Sequence, residues 1–169
     1  PTQALLDIYT LMRSFRQTGG VDSKTVVMVG DLKRGRTFRS LSRLLTQFKD
    51  VRMVFVSPPE FRIADDLRQF LNQNRATYQE TESFEDALKS ADAVYMTRIQ
   101  DEYDQGEESK RNTNSRFQLR YSHLSIMKKD AVIMHPLPRR DELDLAIDKD
   151  PRAKYWRQER NGMWTRVAL

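Results

Sequence analysis

Cysteine is absent from the 169-residue sequence, and histidine occurs only twice. Without cysteine the chain can form no disulfide, no thiolate zinc site and no cysteine nucleophile. Two histidines are by themselves too few to hold a metal cluster. The sequence therefore predicts a chain without a disulfide framework and without a metal site.

Long apolar runs are also missing. The longest, at residues 25–29 and 51–56, are far too short to span a bilayer. No charged segment followed by an apolar one opens the chain, as a signal peptide would. We therefore expect no membrane as a partner and a cytoplasmic location.

Glycine and proline are sparse, at 6 residues each, whereas charged residues make up 31% of the chain. The net charge of +5 is compatible with nucleic acid, an acidic surface or small anionic substrates as partners. Basic and acidic residues are intermixed, as at Arg157, Glu159 and Arg160, and no run of like charges marks an arm for nucleic acid. We therefore expect a folded, helix-rich chain that does not bind nucleic acid.

Apolar residues repeat with the period of strands and of helices in turn. Strand-like runs lie at residues 25–29, 51–56, 91–96 and 131–134, with a weaker edge candidate at 77–79. Helical patterns lie at residues 1–18, 36–48, 63–71, 84–88 and from 151 onward. This alternation predicts an α/β fold with a doubly wound, mostly parallel sheet of four to five strands and helices on both faces.

The length suits one compact core, so residues 1–169 are predicted to form a single domain. Residues 101–115 are polar, lack apolar periodicity and are longer than most connections, which predicts a mobile lid loop. The last helix is predicted to start near Pro151 and to stop at Asn161 and Gly162.

In a doubly wound sheet, ligands bind beyond the carboxyl ends of the strands. Three loops with unusual chemistry leave such ends, at residues 30–37, 97–100 and 135–139, and we expect them to converge. The first has the glycine spacing of a phosphate-binding P-loop, with Arg36 in place of the lysine. A nucleotide hydrolase also needs an aspartate at a neighbouring strand end. The candidate ends read Ser57-Pro58, Thr97-Arg98 and His135-Pro136, and none of them supplies it.

Arg36 would then lie at a helix N-terminus, where the helix dipole favours an anion and a guanidinium matches a carboxylate at two points. The alternative is a surface arginine on a solvated first turn. Arg98 follows a buried strand directly, so it would leave the sheet at the ligand edge together with Gln100. Two arginines and a glutamine in one crevice suit a dicarboxylate with a short carbon spacer. The alternative for Arg98 is a structural ion pair with Glu102 or another acid.

In the third loop, Pro136 and Pro138 have no backbone N–H, so the segment offers carbonyl acceptors that suit an amide or ammonium group. The alternative is a rigid turn that only ends a strand. His135 taken alone is more typical of a packed, hydrogen-bonded histidine than of a base.

Four ordered segments together resemble the catalytic chain of the aspartate carbamoyltransferase family. They are Pro1-Thr2-Gln3-Ala4-Leu5-Leu6-Asp7, Gly30 through Thr37, Tyr95-Met96-Thr97-Arg98-Ile99-Gln100, and His135-Pro136-Leu137-Pro138-Arg139. Ornithine carbamoyltransferases share the fold but differ in the second pair of segments. The resemblance implies transfer of a carbamoyl group from carbamoyl phosphate to the amino group of L-aspartate in pyrimidine synthesis, without a cofactor or metal.

The resemblance also implies which residues contact each substrate. L-aspartate would be bound by Arg36, Thr37, Arg98 and Gln100. Carbamoyl phosphate would be contacted by Gln3 and by the backbone of Leu137 and Pro138. At Arg34, Asp101 and Tyr103 the sequence departs from residues common in the family, which leaves the contacts of the lid loop open.

The family's phosphate-binding motifs are not present in this sequence. We therefore expect the chain to be the aspartate-binding half of a longer enzyme, with the helix at residues 1–18 leading toward the carbamoyl phosphate domain. The half alone is expected to lack turnover, and the complete protein is expected to form a catalytic homotrimer. The alternative is a non-catalytic assembly module that keeps the same fold.

Overall fold

The structure is a computed structural model that describes residues 2–98 and 116–169. Its centre is a five-stranded sheet in the order β3-β2-β1-β4-β5, in which every pairing is parallel. The strands are β1 (Thr25–Val29), β2 (Arg52–Val56), β3 (Thr77–Thr81), β4 (Ala93–Met96) and β5 (Val132–Met134). The helices are α1 (Thr2–Ser14), α2 (Arg36–Leu45), α3 (Asp65–Gln73), α4 (Phe84–Ser90) and α5 (Tyr155–Ala168). Short 3-10 helices cover Pro59–Phe61, Tyr121–Ser125 and Leu145–Lys149.

The central strands are buried on both faces, which explains their continuous apolar sequences. Along β1, Val26 and Met28 face one core, and Val27 and Val29 face the other, because side chains alternate along a strand. The first core contains residues of α1, α2 and α3. The second contains residues of α4 and of the 3-10 helices Tyr121–Ser125 and Leu145–Lys149, together with Tyr155 at the start of α5. The predicted doubly wound α/β fold is thereby confirmed.

The weak edge candidate at residues 77–79 is a full edge strand, β3, which pairs with β2 along its whole length. Its residues are mostly half-buried or exposed, so its sequence lacks the apolar signal of the inner strands. Hydrogen bonding to β2 therefore stabilises a strand that the local sequence predicts only weakly.

The prediction that the last helix stops at Asn161 and Gly162 was wrong. Both residues are buried inside α5, which begins at Tyr155 and continues to Ala168. Asn161 Nδ2 donates to Thr10 Oγ1 of α1 at 2.9 Å. A Cβ at Gly162 would lie 3.1 Å from Leu6 Cδ2, so the missing side chain allows α5 to pack closely on α1. The contact between the two helices, and not local helix propensity, therefore explains why Asn161 and Gly162 occur inside α5.

The helix also begins later than predicted, because the residues after Pro151 first pair with β5. Ile133 N–H donates to the carbonyl of Arg152, and Lys154 N–H donates to the carbonyl of Ile133, both at 2.8 Å. The proposed lid at residues 101–115 lies outside the described residues. Among the helices of the described part, none is long and apolar enough to cross a membrane.

Candidate functional site

The candidate site lies at the carboxyl ends of β1 and β4, where the strand order changes direction. The backbone N–H and the hydroxyl of Thr97 both donate to the carbonyl of Val29, at 2.8 and 2.9 Å. Gly30 has a φ of +131°, and a Cβ there would lie 2.3 Å from Thr97 Oγ1. The first two predicted loops therefore contact each other directly, and only glycine fits at position 30.

Asp31 shapes the loop between β1 and α2. Its side-chain Oδ1 accepts a hydrogen bond from the Arg34 N–H at 3.0 Å, and its carbonyl accepts one from the Gly35 N–H at 3.1 Å. A Cβ at Gly35 would lie 2.6 Å from the ring of Phe38, so this turn also requires glycine. The turn places Arg36 as the exposed first residue of α2, at the positive end of the helix dipole.

Thr37, the second residue of α2, lies beside β4. The side chains of Thr37 and of Gln3, on α1, lie close enough to the Tyr95 hydroxyl to lower its pKa. Burial raises the pKa of Tyr95 well above its usual value, so its hydroxyl stays protonated near neutral pH. Side chains from α1 and α2 thus lie near the hydroxyl of Tyr95, on β4.

Asp7 joins this polar cluster from α1. Its Oδ2 accepts a hydrogen bond from the Tyr95 hydroxyl at 2.8 Å. Its Oδ1 accepts from Gln3 Nε2 at 2.9 Å and from Gln158 Nε2, on α5, at 2.7 Å. Complete burial raises the pKa of Asp7 to about 6, although hydrogen bonds from the same three side chains lower it.

Gln158 extends the cluster to the loop after β5, because its Oε1 accepts a hydrogen bond from the backbone N–H of His135 at 2.9 Å. His135 Nδ1 accepts from the Leu137 N–H at 2.8 Å, so the ring proton lies on Nε2, which is 2.7 Å from Glu142 Oε1. Burial opposes ionisation of Glu142, but hydrogen bonds from His135 and the Arg140 N–H hold its pKa below the usual value. His135 is thus a packed histidine, as its sequence context indicated.

The loop after β5 forms one wall of a cleft of about 110 Å³. Gln3 lines this cleft together with His135, Pro136 and Leu137. Leu137 has a φ of 47° and is joined to Pro138 by a cis peptide bond. Two of the residues predicted to contact the carbamoyl group, Gln3 and Leu137, are therefore neighbours in space, and Pro138 follows directly.

The predicted aspartate-binding residues flank the contact between the first two loops. Arg36 and Thr37 open α2 on one side of Gly30, and Arg98 is half-buried just after Thr97 on the other. Gln100 lies outside the described residues, as does Glu102, the alternative partner of Arg98.

A second cleft, of about 380 Å³, is larger and lies near the loop after β5. Its charged lining residues are Arg120, Arg140, Asp141 and Asp144. Because two carboxylates accompany the two arginines, a dianion there would meet repulsion as well as attraction. Among the residues that the structure describes, no three His, Asp or Glu side chains are grouped so that they could hold a metal ion.

Sequence reasoning did not identify the groups that support the site. Asp7 and Tyr95 were noted only as members of segments that resemble the family, and Gln158 was not singled out. Asp7 is separated from Tyr95 by 88 residues and from Gln158 by 151, so no local pattern could have linked them. The available signal was an acidic residue on the apolar face of α1, at Asp7, where a buried charge needs partners.

Comparisons with known proteins agree with this architecture. A family model described as the Asp/Orn binding domain of aspartate/ornithine carbamoyltransferase matches residues 22–169. The chloroplastic aspartate carbamoyltransferase of Arabidopsis thaliana is 41% identical over 170 residues, which cover 100% of this chain and 43% of that protein.

Solved structures give the same result. The catalytic subunit of M. jannaschii aspartate transcarbamoylase has a TM-score of 0.90 and 38% identity, covering 99% of this chain and 53% of that one. The Trypanosoma cruzi aspartate transcarbamoylase, solved in complex with carbamoyl phosphate and aspartate, has a TM-score of 0.85 and 33% identity, with 99% and 53% covered. The chain thus spans about half the length of these relatives. It belongs to the aspartate/ornithine carbamoyltransferase family, within which it matches the Asp/Orn binding domain.

Proposed function

We infer that this chain binds L-aspartate and forms the aspartate side of a carbamoyltransferase in the complete protein. The observation that carries this proposal is the contact of Gly30 with Thr97, which brings the loops bearing Arg36 and Arg98 together at the strand-order reversal. The Trypanosoma cruzi relative was solved with carbamoyl phosphate and aspartate bound. Its similarity over 99% of this chain supports the same substrates here.

Arg36 and Thr37 are the proposed partners of the α-carboxylate. Arg36 is exposed at the start of α2, so a carboxylate there would meet both a guanidinium and the positive end of the helix dipole. Arg98 and Gln100 are the proposed partners of the side-chain carboxylate. The two arginines together would distinguish a dicarboxylate from an amino acid with one carboxylate.

Gln3 and the backbone of Leu137 and Pro138 are the proposed contacts of the carbamoyl group, which the cleft shared by Gln3 and Leu137 supports. In the reaction the amine of L-aspartate attacks the carbonyl carbon of carbamoyl phosphate, and phosphate leaves. Holding the amine next to that carbon lowers the entropic part of the barrier. Carbonyl oxygens along the loop would accept hydrogen bonds from the N–H groups of the carbamoyl group and of the attacking amine.

The partners in the complete protein follow from this proposal. Carbamoyl phosphate would be bound jointly with a domain corresponding to the half of the relatives that this chain does not span. The catalytic homotrimer and the cytoplasmic location stay predictions, and plant relatives are named as chloroplastic. Turnover is proposed only for the complete protein.

Isothermal titration of the chain with L-aspartate tests the binding proposal. We expect saturable binding that Arg98→Ala weakens by about tenfold or more, because a hydrogen bond to a charged group contributes about 1.5–3 kcal/mol. Arg16→Ala, which removes an exposed arginine after α1, serves as the matched control and should leave the affinity unchanged. An absence of binding by the unmodified chain, or equal losses in both variants, would contradict the proposal.

A further inference from the structure

Asp7 is a buried carboxylate that the proposed chemistry does not use directly. Its side chain is fully buried and accepts three hydrogen bonds, from Gln3, Tyr95 and Gln158. Within the described ranges, residues 2–98 and 116–169, no cation stabilises its charge. Burying a charge that has no cation beside it lowers the stability of the fold, so stability alone does not explain why an aspartate occupies position 7.

Each donor to Asp7 connects to a different part of the proposed site. Gln3 lines the cleft next to Leu137. Tyr95 lies near Thr37, at the start of α2, whose side chain lowers its pKa. Gln158 accepts a hydrogen bond from the backbone N–H of His135, in the loop after β5. Through these donors, one carboxylate is linked to both proposed substrate positions.

We propose that Asp7 is a positioning residue whose ionised carboxylate holds Gln3, Thr37 and the loop after β5 in the arrangement that binds ligand. The proposal rests on the proposed function for its substrate. An ionised carboxylate accepts hydrogen bonds only, so it accommodates all three donors. It also fixes the Gln3 amide, because Nε2 must face the carboxylate and Oε1 then lies on the opposite side.

Protonation of Asp7 disturbs this arrangement, because one carboxyl oxygen then donates a hydrogen bond where it had only accepted, and its neighbour must reorient. The pKa of about 6 places this change just below neutral pH. The groups that face Asp7 stay fixed in charge over that range: the amides of Gln3 and Gln158 do not titrate, and the pKa of Tyr95 is raised well above its usual value. The charged residues of α5 that line the cleft, Glu159 and Arg166, do not hydrogen-bond to Asp7.

Asp7→Asn imitates the protonated acid, since the amide keeps the shape but offers one acceptor oxygen in place of two. In NMR spectra of the ligand-free chain, the Asp7 carboxyl carbon should titrate with a midpoint near 6. The side-chain amide of Gln3 and the backbone amide of His135 should shift with the same midpoint. Both shifts should be lost in Asp7→Asn and retained in Asp130→Asn, the control at an exposed aspartate.

Titrations with L-aspartate at pH 7.5 and pH 5.5 provide the second readout, because both carboxylates of this ligand stay ionised in that range. The unmodified chain should bind about threefold to fourfold more weakly at the lower pH, because the ionised fraction of Asp7 falls about fourfold, whereas Asp7→Asn should bind weakly at both. Equal affinities of the two proteins at pH 7.5, or Gln3 and His135 signals that do not follow Asp7, would overturn the proposal. A chain that binds no L-aspartate at either pH would instead contradict the proposed function, while the ligand-free spectra still decide whether Asp7 controls the loop.

Discussion

Asp7 illustrates, at the scale of single residues, a conflict between stability and function. Burial raises its pKa from 3.8 to about 6, so the folded state holds the proton more tightly than the unfolded state does. Its contribution to stability is therefore fully present below the lower pKa and is lost as pH rises through the higher one. At pH 8 the ionised group costs about 3 kcal/mol relative to an unshifted carboxyl.

Asp7→Asn should therefore become relatively more stable as pH rises. The variant has no titrating group at this position, so it avoids the loss. Of the total cost, about 1.4 kcal/mol develops between pH 5 and pH 8, and the difference in free energy of unfolding should change by this amount in favour of the variant. Urea unfolding of both proteins at the two pH values measures it. A difference that is constant with pH would show that Asp7 titrates normally.

At the residue scale, the sequence predicts a site residue only where the side chain acts near its own segment. Arg36 follows from the glycine spacing of its loop, and Gln3 and Leu137 follow from family motifs. Asp7 and Gln158 could not be predicted in this way, because their role depends on the packing of two helices that lie at opposite ends of the sequence. His135 was correctly interpreted as packed, but its partner Glu142 required the structure.

At the scale of elements, the glycine at the end of β1 controls how closely two loops approach. Gly30 has a positive φ, and a Cβ added there would lie 2.3 Å from Thr97 Oγ1. Gly19, after α1, has a φ of +89° with nothing within 4 Å of the same position. The two glycines thus separate the effect of backbone conformation from that of close packing.

Gly30→Ala should lower the free energy of unfolding by about 3 kcal/mol or more, because both strain and a clash with Thr97 oppose it. Gly19→Ala should cost only about 1–2 kcal/mol, because the left-handed conformation alone is disfavoured. Chemical unfolding of both variants provides the comparison. Similar losses in the two variants would mean that the loops can separate without cost.

The elements themselves were largely predictable, since inner strands such as β1 are short apolar runs bounded by turn residues. Errors arose where contacts outweigh local preference. β3 depends on pairing with β2, and α5 continues through Asn161 and Gly162 because it packs against α1. Asn161 and Gly162 were misread there as a local helix stop. Asn161 donates a hydrogen bond to Thr10, and Gly162 leaves room for the side chain of Leu6.

At the scale of the whole molecule, topology brings the candidate site together. Strand order β3-β2-β1-β4-β5 places the loops after β1 and β4 next to each other at the point where ligands bind in such sheets. The third loop, after β5, joins them through Gln158 and Asp7. The convergence was predictable from the fold class, whereas the polar network that links the loops was not, because it needs α5 to cross back onto α1.

The most direct test of the account is an NMR titration of the chain with L-aspartate, with L-asparagine as the matched ligand that lacks the second carboxylate. We predict that the backbone amides of Arg36, Thr37, Arg98 and Leu137 shift along one saturable curve with L-aspartate and respond much more weakly to L-asparagine. Equal responses to the two ligands would contradict the two-arginine site. Shifts confined to the cleft lined by Arg120 and Arg140 would contradict the location of the site altogether.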